Sequence, residues 1–203
     1  MYYTVSENHT KIASPSYPLF AKESRMVKRY MKYLTQRDKP EILDIGPVSG
    51  SNISFFLGHV SKVHICDVLS LIAREPRPGA DAERILSFFD FKEKSLDGIH
   101  LWDAPDHIDN RTLSLLVKKF HSLLKPNGLL IFIASTTTGI QPHPLFFIMR
   151  ENYAVMLEKV TTRRLSYFYR SNRDLELCMK PFQQLSSFIC TDGLREFLYR
   201  NPS

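Results

Sequence analysis

The chain is predicted to fold as an α/β protein, with a mostly parallel central sheet, helices on both faces and a C-terminal antiparallel hairpin. Three observations carry this. Short apolar segments (EILDIG 41–46, KVHICDV 62–68, SLDGIHLWD 95–103, GLLIFIAS 128–135) alternate with stretches whose apolar residues recur at helical spacing. Such alternation builds β-α-β units joined by right-handed crossovers. Near the end, QQLSSFIC and LREFLYR flank TDG, a link too short for parallel pairing.

Taken in order, residues 1–19 read as an irregular leader containing Pro15 and Pro18. Val27, Tyr30, Met31 and Leu34 predict a helix over 20–36, which Pro40 stops. EILDIG then runs into the turn-rich PVSGSN, and Ile53, Phe56, Leu57 and Val60 predict a second helix. KVHICDV is a strand with Asp67 near its end. REPRPGADAE carries no assignment, and RILSFFD (84–90) reads as a short strand ending on Asp90. Residues 109–124 form the clearest helix, with Leu113, Leu116, Val117, Phe120 and Leu124 on one face and KPNG as its stop. Ser171 is placed to cap a last helix with a stripe of Leu175, Cys178 and Phe182.

The 203 residues suit one domain, so 1–203 reads as a single unit without internal repeat. A composition of 43% hydrophobic and 24% charged residues excludes a disordered chain. The longest apolar run, LLIFIA, is too short to cross a bilayer, and MYYTVSENHT lacks the pattern of a secretory signal. A cytoplasmic location is the expectation. Cys66, Cys178 and Cys190 make an odd count with no CxxC spacing, so neither disulfides nor a metal site is expected. Cys66, in VHIC, reads as a small core residue.

The net charge of +6 is concentrated. Residues 22–39 hold seven Lys/Arg against Glu23 and Asp38, and residues 150–173 hold six against Glu151 and Glu158. With interleaved Tyr and Phe, these runs are either solvated helix faces or surfaces for an anionic partner such as nucleic acid, phospholipid or an acidic small molecule.

In an open parallel sheet the ligand crevice lies beyond the carboxyl ends of the strands. Three segments should meet there: DIGPVSGSN (44–52), Asp67 and WDAPDHI (102–108). Glycine permits close backbone approach, and the helix after it offers unpaired N–H groups. Asp67 lies about as far after the turn as a carboxylate that accepts ribose hydroxyls. A dinucleotide G-x-G-x-x-G is not matched, since Gly46 is followed at those places by Val48 and Ser51. No G-x-x-x-x-G-K-[ST] exists. D-x-G-x-G-x-G is met by Asp44, Gly46 and Gly50, with Val48 at the middle glycine.

On these residues the chain resembles the class I S-adenosylmethionine-dependent methyltransferases. The order is an N-terminal helix, ILDIGPVSG, an acid after the second strand, SLDGI, LLKPNGLLIF and a terminal hairpin. The resemblance implies a Rossmann-like fold and S-adenosylmethionine as cofactor. It sets Asp44, Gly46, Pro47, Val48 and Gly50 against the methionine part, and Asp67 with Val68 at the ribose. Asp90, with Asp81 as the alternative, falls toward the adenine, and Trp102 and Asp103 form the floor near the sulfonium. Each also has a plain structural reading. Asp44 or Asp67 would cap local backbone, Asp90 would be a loop acid, Trp102 a core anchor, and His107 a structural histidine rather than a base. His143 is given no role.

The implied reaction is methyl transfer to an unidentified acceptor, anionic or aromatic, with 136–170 as a lid in which Arg163 and Arg164 face it. Such transfer needs an acceptor lone pair in line with the methyl–sulfur bond, so no catalytic base is assigned. WDAPD is not an NPPY-type motif, and adenine or glutamine nitrogen acceptors are not expected. The alternative is a non-catalytic methyltransferase-like module that binds nucleic acid or protein through basic surfaces.

Overall fold

The computed structural model describes residues 19–73, 82–136, 144–159, 165–190 and 193–203. In chain order the elements are β1 (Leu19–Glu23), α1 (Arg25–Leu34), β2 (Glu41–Asp44), α2 (Gly50–Leu57) and β3 (Lys62–Ile65). Then come α3 (Val68–Ala73), α4 (Ala82–Ser87), β4 (Leu96–His100), α5 (Asn110–Leu123) and β5 (Leu124–Ser135). The last are β6 (Leu145–Met149), β7 (Ala154–Lys159), α6 (Asn172–Cys178), β8 (Gln183–Ile189) and β9 (Leu194–Arg200).

The main sheet runs β3-β2-β4-β5-β9-β8. Its first four strands are mutually parallel. β9 returns antiparallel between β5 and β8, which is the expected hairpin. The pleat of β5 shows why the sheet is two-sided. Leu130, Phe132 and Ala134 join one core with residues of α3, α4, α5 and α6, while Leu129, Ile131 and Ile133 join another with α1 and Phe56 of α2.

Local signals set the helix starts. The Ser24 hydroxyl accepts from Val27 N at 3.0 Å and opens α1, whose Met26, Val27, Tyr30, Met31 and Leu34 are all buried. Asp109 accepts from the N–H groups of Arg111 and Thr112 and opens α5. Ser171 and Asp174 form a reciprocal capping box at α6.

Four expectations are corrected. The first helix starts at Arg25, because 19–23 form β1 and Ser24 supplies the cap. RILSFFD is not a strand: α4 covers its first four residues, and Ile85 and Phe89 are buried one helical turn apart. KPNG does not separate helix from strand, since β5 begins at Leu124, directly after α5, with a register irregularity after Leu124 and Asn127 at φ 60°. Phe182 lies beyond the end of α6. Most of REPRPGADAE, including Asp81, lies outside the described residues.

The segment read as a lid holds two strands. β6 and β7 pair antiparallel, and β1 adds to β7, giving a three-stranded sheet in the order β1-β7-β6. Asn52 of α2 binds it twice, donating to Phe147 O at 2.9 Å and accepting from Met149 N at 2.7 Å. Leu145 N donates to Asp103 at 2.6 Å, and Ser24 N donates to Tyr153 O at 3.0 Å. These bonds fasten the small sheet beside the carboxyl ends of β2 and β4. Among the described residues no helix is long and apolar enough to cross a membrane.

Candidate functional site

Backbone bonds hold three strand ends level. Cys66 N donates to Asp44 O at 2.9 Å, and Ile45 N donates to His100 O at 2.8 Å. The turn after β2, the Cys66-Asp67 exit of β3 and the Leu101–Asp103 exit of β4 therefore leave the same edge. Ser49 accepts from Asn52 N and caps α2, leaving the helix N-terminus at this edge. Val48 points outward at 67% exposure, Pro47 is half-buried, and a Cβ on Gly50 would meet nothing within 4 Å. The mouth beside Val48 and Gly50 is open.

Asp67 is half-buried, and both its oxygens are engaged by Ser70: Oδ1 accepts from Ser70 N at 2.9 Å and Oδ2 from the Ser70 hydroxyl. It caps α3. Capping leaves carboxylate lone pairs free, so this role is compatible with a ligand at the same group. Val68 is different: its side chain is fully buried in the main core, so only its backbone borders the edge.

Trp102 dominates the other half of the site. It is 3% exposed and sits at φ 51°, a left-handed conformation that costs a bulky residue about 1–3 kcal/mol. Its indole stacks on His100, with centroids 3.9 Å apart, and on Phe147 at 5.3 Å. Nε1 donates to Asp44 Oδ1 at 2.5 Å. The ring lies against Gly46 so closely that a Cβ there would come within 2.6 Å of Trp102 Cδ1. Glycine at 46 is thus required first by this indole. Burial raises the Asp44 carboxyl to about 7, against the lowering effect of the indole bond. Burial likewise depresses His100 to about 3, so its imidazole is neutral and enclosed by Tyr30, Phe56 and Trp102.

Asp103 follows Trp102 at the exit of β4. Its Oδ2 takes Leu145 N and His107 Nε2, at 2.6 and 3.3 Å, while its buried Oδ1 has no hydrogen-bond partner among the described residues. Asp106 accepts from Ser135 N at 2.7 Å. Burial, with a smaller push from Asp103, raises its carboxyl to about 7. For His107, burial favours the neutral ring, but Asp103 and Asp106 outweigh it and the pKa is raised. Arg170 secures this stretch by donating to the carbonyls of Pro105 and Ile108 and to Asn110 Oδ1. Asp103, Asp106, His107 and Arg170 form a structural knot under the site. His107 is buried, with its ring nitrogens within reach of Asp103 and the Ser166 carbonyl, and Arg170, counted by charge as surface, is 3% exposed.

Asp90 is exposed and makes no described contact with the edge. Its neighbours are anchored, with Phe89 against Phe120 and Phe91 edge-on to His64 of β3, so it stands beside the outer strand of the parallel half. Cys66 is partly buried against the core, and burial together with Asp67 pushes its thiol up to about 11, which makes it inert. Arg25, Lys28, Arg29, Lys32, Tyr33 and Gln36 line an open groove of about 510 Å³ on α1. Arg163, Arg164 and His143 lie outside the described residues.

Against the S-adenosylmethionine that the resemblance implies, the fit is divided. The open turn at 46–50, the N-terminus of α2 and Asp67 suit an adenosyl group. The surface of Gly46 and one oxygen of Asp44, expected against the methionine part, are covered by Trp102.

The fold is that of solved methyltransferases. The chain is similar to the 1,6-didemethyltoxoflavin-N1-methyltransferase of Burkholderia thailandensis, at TM-score 0.51 and 17% identity, over 89% of this chain and 80% of that one. It is similar to the N-methyltransferase NodS of Bradyrhizobium japonicum, at TM-score 0.52 and 14% identity, over 88% and 97%. A third match is an S-adenosylmethionine dependent methyltransferase from Mesorhizobium loti, at TM-score 0.53 and 13% identity, over 85% and 96%. No curated protein matches the chain. A family model described as a methyltransferase domain matches residues 20–182. With the Rossmann-like sheet and the glycine turn at its edge, this match over most of its length makes the chain a member of the methyltransferase domain family, whose methyl donor is S-adenosylmethionine.

Proposed function

We propose that the chain transfers a methyl group from S-adenosylmethionine to a small anionic or aromatic acceptor, at the edge where β2, β3 and β4 end. One observation carries the site assignment: the Cys66 N to Asp44 O bond sets Asp67 beside the open 46–50 turn. The cofactor supplies an electrophilic methyl on sulfur, and the protein supplies orientation and exclusion of water. In this reading the 46–50 backbone and the N-terminus of α2 bind the nucleoside, and Asp67 accepts from the ribose hydroxyls. The Asp103–His107 knot fixes the floor without moving a proton. In this reading the small sheet borders the acceptor side through Phe147, which stacks on Trp102. A cytoplasmic location goes with this reading.

Calorimetric titration with S-adenosylhomocysteine tests it. Saturable binding is expected, and Asp67→Asn should weaken it roughly 10- to 100-fold, the effect of losing a charged acceptor worth ~1.5–3 kcal/mol. Asparagine is as good a cap as aspartate, so the melting temperature should hold. Absence of saturable heat would refute the reading and leave a non-catalytic module whose most basic feature is the α1 groove. Undiminished affinity in Asp67→Asn would refute the role of that residue.

A further inference from the structure

Resting on the methyl-transfer reading above, we propose that Trp102 is the gate of the donor pocket. Its indole fills the aminoacyl end, and a donor with a methionyl tail binds only as the indole swings off Gly46 and Asp44. Three observations combine. The space against Gly46 is taken by the chain's own ring, at a separation that leaves no room for another atom. The Asp44 oxygen facing that space is the one bound to the indole N–H. The nucleoside end, by contrast, is open at Val48 and Gly50.

Trp102 also has the build of a two-state element. Its backbone sits at φ 51°, which L side chains adopt reluctantly, and is fixed by the Ile133 N to Trp102 O bond at 2.8 Å, while side-chain contacts hold the indole. Those contacts are the His100 and Phe147 rings and the Asp44 carboxyl. Releasing the indole by rotation of its side chain forfeits the stacking and the hydrogen bond and leaves the backbone bond to Ile133 in place. Phe147, the outer wall of the stack, belongs to the small sheet that Asn52 and Asp103 tie to the strand ends. Displacement of the indole therefore uncovers the Phe147 ring of β6, on the side where an acceptor enters. Gate opening and acceptor access become linked through one ring.

Trp102 is the sole tryptophan of the chain, so its emission reports its own position. Saturation of the wild-type protein with S-adenosylhomocysteine should shift the emission maximum to longer wavelength, as a buried, stacked indole becomes hydrated. Adenosine, which has no aminoacyl tail, should bind without that shift. Trp102→Ser should bind S-adenosylhomocysteine at least tenfold more tightly than the wild type and adenosine equally well. The wild-type emission experiment stands alone should the variant fail to fold, which circular dichroism would show. Binding of S-adenosylhomocysteine to the wild type with unchanged emission would overturn the gate while leaving methyl transfer standing. Absence of saturable heat in both proteins would overturn the gate and methyl transfer together.

Discussion

Replacing Asp44 by asparagine should change how stability depends on pH. In the folded protein burial carries this carboxyl from its ordinary 3.8 to about 7. The folded state thus holds a proton that the unfolded chain gives up near pH 4. Stability from this group is complete below about pH 4, falls as pH rises toward 7, and is flat above. At ~1.36 kcal/mol per pH unit the loss reaches as much as ~4 kcal/mol. Asparagine keeps an oxygen to accept the Trp102 N–H and never ionises, so it removes the slope without removing the bond. Asp106 and His107 titrate equally in both proteins and cancel in the comparison. The assay is urea unfolding of wild type and variant at pH 4, 6 and 8, with the slope against denaturant checked for constancy. Any fixed packing cost of the extra amide hydrogens shifts all three points together. The variant should gain on the wild type by several kcal/mol between pH 4 and 8. A difference constant to within ~1 kcal/mol would refute the burial argument for Asp44.

Two further substitutions probe the framework around the site. Gly98→Ala on β4 would set a methyl against the Tyr30 ring, within 2.8 Å of Cζ, and should cost ~1–3 kcal/mol in denaturant unfolding. An unchanged midpoint would mean that Tyr30 does not pack there. Asn52→Ala strands the buried Phe147 carbonyl and Met149 N–H. It should cost ~2–4 kcal/mol and make the 144–159 hairpin the first site of limited proteolysis; cleavage elsewhere would contradict the clamp.

The main sheet was legible because its strands are short apolar runs between helices of strong 3.6-residue period. The Leu113–Phe120 stripe of α5 and the unbroken apolar run along 129–134 leave little freedom. Legibility failed where several structures satisfy the same apolar spacing. RILSFFD suits a strand or a helix, and only the shared burial of Ile85 and Phe89 decides it. Ser24 was a usable cap signal that would have moved the start of α1. The small sheet was missed because β6 pairs with a strand five residues on and β1 with one more than a hundred residues away. In the site, sequence brought Asp44, Gly46 and Trp102 to one edge. It left open both which ligand Gly46 serves and the direction of the indole, which depends on a positive φ and on Phe147 from the small sheet. Arg170 shows the same limit: charge counting places it on the surface, whereas three acceptors draw it inside.

A crystal structure of the wild-type chain grown with S-adenosylhomocysteine bears most directly on whether this edge is the donor site. The nucleoside should lie along the 46–50 turn with its ribose at Asp67, and the indole of Trp102 should have left Gly46. Ligand density at any other surface, or an edge unchanged at millimolar ligand with the indole still bonded to Asp44, would contradict it.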